Sequence, residues 1–203
     1  MQVCKILTAS VVLLALCAVS AGAQQTSGQM SNMSHDEMMK SMTSWPKASQ
    51  DAAQDMMKKY GAPAAMTADM MIWGKTGPWK RTVIFRQEVA HEFPMHHTDV
   101  MQQWIDYKAP PKMYDELAAY DGSVVLERTV GEMSARCDKE GANFLALNLA
   151  DEIVRGKLSV DAARKMYLAQ IMLMKAMKPA PYTEKLMFST MTNTNDPDVP
   201  VKE

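Results

Sequence analysis

The chain is poor in cysteine, and the shortage is sharper than the count of 3 implies. Cys4 and Cys17 sit in an N-terminal stretch that reads as a cleavable signal, which leaves Cys137 alone. One cysteine cannot close an internal disulfide, so the folded protein must be held by packing. Beyond the N-terminal stretch, no run is long and apolar enough to span a bilayer. Neither sign of charge dominates. The chain has 22 basic and 23 acidic residues, and losing Lys5 with the signal moves the net charge only from −1 to −2. That balance argues against nucleic acid or an anionic membrane as partner. There is no internal repeat, and no motif names a reaction.

The export signal is the clearest functional statement in the sequence. Lys5 supplies a short positive region, Ile6 to Val19 is mostly apolar but shorter than a membrane-spanning helix, and Ala21-Gly22-Ala23 fits small-x-small cleavage. A lipoprotein signal is disfavoured, because Leu16 stands where a small residue normally precedes the lipid-bearing cysteine. Residues 1–23 are therefore expected to be removed and the rest delivered to a periplasmic or extracellular space. The remaining 24–203 divide into a flexible, methionine-rich leader (24–43), a single domain (44–190) and a disordered tail (191–203).

Within the domain, apolar spacing at Ala48, Ala52, Met56 and Tyr60 predicts a helix stopped by Gly61 and Pro63. Residues 70–73 and 79–86 read as a hairpin across a glycine-containing loop. Alternation at Val89, His91 and Phe93 predicts another strand ending near Pro94. Asp99 and Gln102 have capping-box spacing, so a helix is expected from Asp99 to Pro110. A short helix follows over 112–120, then a β-rich run over 123–130 expected as a central strand. Two well-marked helices close the domain. One runs from Asp138 to Arg155, with an apolar stripe through Ala142, Leu145, Ala146, Leu149, Ala150 and Ile153. The other is capped by Ser159 and ends before Pro179. The expected fold class is α+β: a small, mostly antiparallel sheet of three to four strands packed against several helices, with a C-terminal antiparallel helix pair. A helix, Tyr60-Gly61-Ala62-Pro63 and a tryptophan-bearing hairpin, together about 46–86, resemble part of the small outer-membrane assembly lipoproteins. No lipid-attachment cysteine accompanies that stretch.

Three sets of residues could carry chemistry. His91, His96 and His97 lie together with Glu92 and Asp99, and imidazoles with a carboxylate suit zinc, copper, nickel or iron. His91, His97 and Asp99 share strand parity, but Pro94 interrupts it. In the ordinary alternative, His91 is a core histidine and Asp99 a helix cap. A second set, Met30, Met33, His35, Met38, Met39 and Met42, offers soft donors suited to copper and resembles methionine-rich copper-handling segments of periplasmic proteins. Against it, methionine is used throughout the chain, 21 in all, as a flexible packing residue. The third set is Cys137, Glu140, Asn143 and Asp151. Cys137 precedes a helix start that could favour a thiolate, and the other three fall on one helical face, expected to be solvated.

The leading expectation is a non-enzymatic binding or envelope-structural module, with an envelope protein as partner. The alternative is a metal-binding protein using zinc or copper on the histidine cluster, or copper on the methionine segment. A cysteine–histidine enzyme comes third.

Overall fold

The computed structural model describes residues 35–202. The signal, most of the leader, and Met30 and Met33 lie outside the described residues. The described residues are mixed helix and strand, with five helices and one antiparallel sheet of six strands rather than three or four. In order the elements are α1 (His35–Met42), α2 (Lys47–Tyr60), β1 (Ala65–Met66), β2 (Met70–Trp73), β3 (Arg81–His91), β4 (His97–Asp106), α3 (Tyr114–Tyr120), β5 (Val125–Glu127), β6 (Glu132–Cys137), α4 (Glu140–Val154) and α5 (Val160–Lys175). The strands lie in the order β1-β2-β3-β4-β6-β5, and every neighbouring pair is antiparallel. No helix among the described residues is long and apolar enough to cross a membrane.

Two expectations are corrected here. The segment from Asp99 is strand β4, not a helix. Its apolar residues fit helical spacing, but Met101, Gln103 and Ile105 alternate inward and pair with β3 and β6. The run over 123–130 supplies only the three-residue edge strand β5. The place beside β4 belongs to β6, buried along all its length but Arg136, with Met133, Ala135 and Cys137 on one face.

That alternation sorts the sheet into two faces. Met71, Ile84, Met101 and Cys137 form one row of partners, and Trp73, Thr82, Gln103 and Ala135 the next. All are buried, beneath α2 and α4. Ala52, Ala53 and Met56 of α2 cover the β2–β3 end, together with Met42 and Trp45 from the preceding segment. The helix α4 covers the β6 end and is in turn packed by α3 and α5. Being enclosed on both sides, α4 is buried almost all round, including Asn143, Asn148 and Asp151. Packing extends past both sides of the 44–190 span. Thr194 is buried, the Asp196 amide donates to the Thr129 carbonyl at 3.1 Å, and Arg128 pairs with Asp196 and Asp198. Gly131 (φ 76°) lies so close beneath this segment that a Cβ would stand 2.2 Å from the Thr194 backbone, which only glycine permits.

Candidate metal centre

The site begins with a break in register. Ile84 pairs with Met101 and Val89 with Asp99, so four residues of β3, Phe85–Glu88, stand against Val100 alone. Side chains alternate with a period of two, so an excess of three residues exchanges the two faces of the strand beyond it. Val89 and His91 thereby turn to the covered face, where an unbroken register would have sent them out. The extra residues have other partners: Phe85 pairs with Met70, its carbonyl accepts from the Ser49 hydroxyl at 2.7 Å, and the Arg86 amide donates to Asp69. The chain then turns through Glu92–His96, with a cis Phe93–Pro94 peptide. It returns as β4 with His97 directly opposite His91 and Asp99 two residues on. Pro94 thus ends one strand of a hairpin, and the shared parity of His91, His97 and Asp99 is restored by the partner strand.

These three side chains converge. One ligating atom from each lies within 4.8 Å of the others. His91 Nδ1 stands 3.1 Å from Asp99 Oδ2, and His97 Nε2 stands 3.1 Å from Asp99 Oδ1. Yet His91 Nδ1, His97 Nε2 and Asp99 Oδ1 are all buried without an aligned hydrogen bond. Asp99 is 3% exposed, and a bare carboxylate at that depth is costly.

The remote ring nitrogens explain what is missing. His97 Nδ1–H donates to the Met95 carbonyl at 2.9 Å. A neutral His97 therefore presents a lone pair at Nε2, aimed at a carboxylate oxygen, and two acceptors facing one another require a proton or a cation. At His91 the far nitrogen, Nε2, lies 3.7 Å from Asp121 Oδ1. Asp121 is itself fixed by the amide and hydroxyl of Ser123, at 2.8 and 2.7 Å. An outer acceptor such as the Met95 carbonyl orients a ligating imidazole, whereas Asp121 lies beyond hydrogen-bond reach of His91 and acts on it through charge.

Electrostatics favour a positive guest. Asp99 and Asp121 are both almost fully buried. Burial pushes the Asp121 carboxyl up, the bonds from Ser123 and the nearby His91 oppose that, and the Asp99 charge adds to the rise. The Asp99 carboxylate raises His97 above its ordinary value, with burial opposing, while the Met95 carbonyl and Asp138 add to the rise. Phe93, Tyr120 and Tyr167 pack together around the hairpin, Phe93 edge to face on Tyr120 and tilted on Tyr167 with centroids 5.0 Å apart, and keep the surroundings apolar.

The other sequence candidates do not join this centre. His96 turns outward and pairs with Glu92 at 2.8 Å, both side chains more than 70% exposed. Met39 and Met42 pack into the core beside α2 and Trp45. Glu140, Asn143 and Asp151 are not on a solvated face, and they take different partners. Glu140 accepts from Tyr60, Trp79 and Lys59. Asn143 donates to Gln103 and the Met101 carbonyl. Asp151 accepts from Tyr107 and pairs with Arg155. Burial pushes the Cys137 thiol well up, and Asp138 and Asp99 add to the rise. It is therefore a neutral thiol rather than a poised nucleophile. Asp121 escaped the sequence reading: it stands in an Asp-Gly turn about thirty residues from the histidines, and nothing local marks it. No protein-family model, curated protein or solved structure matches the chain.

Proposed function

We propose that this protein is an exported metal-binding module that holds one transition-metal ion, zinc or copper, on His91, His97 and Asp99. One observation carries the reading: three buried polar atoms, each lacking an aligned hydrogen bond, belong to the three side chains that converge. Two imidazole nitrogens and one carboxylate oxygen form a donor set suited to either ion. Ligands about 2.0–2.2 Å from zinc sit roughly 3–4 Å from one another; each imidazole nitrogen stands 3.1 Å from its own oxygen of Asp99, and one atom from each of the three residues lies within 4.8 Å of the others. A divalent ion also neutralises the two buried carboxylates, Asp99 and Asp121. Export rests on the N-terminal signal pattern of residues 1–23.

The test is metal analysis and calorimetric titration of the chain lacking residues 1–23, with zinc and with copper. One equivalent should bind. His91→Ala and His97→Ala should each abolish uptake, while His96→Ala should leave it intact. Absence of stoichiometric binding, or binding indifferent to His97→Ala, overturns the proposal.

A further inference from the structure

The three ligands leave a zinc-like ion short of its usual four, and metal sites that keep a position open are those that exchange ligands. The structure has a cavity of about 140 Å³ lined by His97, one of the three ligands. It lies on the covered face of the sheet, to which all three ligands point, between the hairpin turn, the start of α4 and the end of α5. His97 forms one wall, next to Cys137, and Ala142, Tyr167 and Ile171 line the cavity behind. Its charged lining groups are Asp138, Lys139 and Lys175, besides His96 and His97. Lys139 and Asp138 stand 3.8 Å apart and offset one another. Lys175 has no carboxylate partner among the described residues; its ammonium lies against the Met95 sulfur.

We infer that this cavity admits a small monocarboxylate, which binds its anionic head to the metal's open position and lays a short apolar tail against Ala142 and Ile171. The inference rests on the metal reading above. Size limits the guest. At about 30 Å³ per water molecule, the space equals roughly four or five waters, which suits an anion with a similar number of non-hydrogen atoms. Sign follows from Lys175, since Asp138 is already offset by Lys139 and the ion's own charge is met by Asp99 and Asp121. The walls choose among anions: Ala142, Tyr167 and Ile171 offer an apolar surface that a tetrahedral oxyanion would leave unused.

The experiment uses the protein loaded with Co(II), whose visible absorption reports its coordination. Propionate should shift the band saturably, and inorganic phosphate should shift it far less. Lys175→Ala, at an exposed position, should bind Co(II) normally but weaken propionate by about tenfold, the loss of one charge-assisted contact. Normal Co(II) uptake with a spectrum indifferent to propionate overturns the cavity assignment and leaves the metal reading standing. So does a phosphate response equal to that of propionate, or unchanged propionate affinity in Lys175→Ala. Failure to take up Co(II), zinc and copper alike overturns both.

Discussion

Glu140 looked like a site residue in the sequence, and the structure makes it a structural pin whose removal should be severe. Its carboxylate accepts from Trp79 Nε1 at 2.6 Å and Tyr60 Oη at 2.7 Å and pairs with Lys59, joining the start of α4 to α2 and to the loop before β3. Trp79 is fully buried and stacks on Phe144 with centroids 4.7 Å apart. In Glu140→Ala its indole N–H keeps its burial and loses its acceptor, at about 1–3 kcal/mol. The Tyr60 hydroxyl loses a bond to a charged acceptor, about 1.5–3 kcal/mol before any water reaches it. Lys59 is half exposed and adds little. The sum is on the order of 3–5 kcal/mol. Glu140→Gln keeps an oxygen for Trp79 and should cost roughly a third of that. Urea denaturation of both variants with tryptophan fluorescence measures the difference, and metal stoichiometry should be unchanged in each. A Glu140→Ala cost below about 1 kcal/mol would refute the pin.

Leu149, fully buried at the centre of α4, should lose about 2–5 kcal/mol on substitution by alanine; thermal melts check this, and a cost under about 1 kcal/mol would mean the helix turns another face inward. The metal-free protein should lose stability with rising pH, because His97 is raised above 6.5 by Asp99. Its charged form then stabilises the fold fully below about pH 6.5, and that contribution fades as pH rises through the raised value. Metal uptake has the opposite sign, since only the neutral ring can ligate. Melting temperatures in chelator should therefore fall as pH rises above about 6.5, while the gain on adding zinc grows, and a gain that shrinks with pH would contradict ligation by His97.

Elements whose stability is mostly local were legible. The helix stopped by Gly61, the hairpin over 70–86 and the two C-terminal helices follow from periodicity, glycine positions and one serine cap, and each appears within a few residues of its expected span. The helix expected from Asp99 failed for a physical reason. Its capping residue directs its carboxylate at two histidines instead of at backbone amides, and Gln103 points inward on what would otherwise read as a strand. Gln103 can do so because Thr82 and Asn143 satisfy it across β3 and α4. A buried polar row of that kind erases the strand pattern unless its partners are already known. The β6 strand did carry its own signal, Met133, Ala135 and Cys137 alternating with Glu132, Ser134 and Arg136, which the more β-rich run at 123–130 overshadowed.

The candidate site divides along the same line. That histidines and a carboxylate crowd 91–99 is visible in the letters, but which of them meet depends on a count made between two strands. Whether His91 faces in or out is decided by the parity of Phe85–Glu88 against Val100, and no window within β3 holds that information. Had the excess been two residues, His91 would face out and the pair opposite Asp99 and His97 would contain no imidazole. The hairpin turn then separates His97, the first residue of β4, from His96, which still belongs to the turn. Strand alternation brings His97 to the side of Asp99, while the turn sends His96 out to Glu92. Histidine density in a sequence therefore marks where a site can form, and register between strands decides its membership. Asp121, supplied by the turn after α3, reaches the group only through the packing of that helix on α4 and α5.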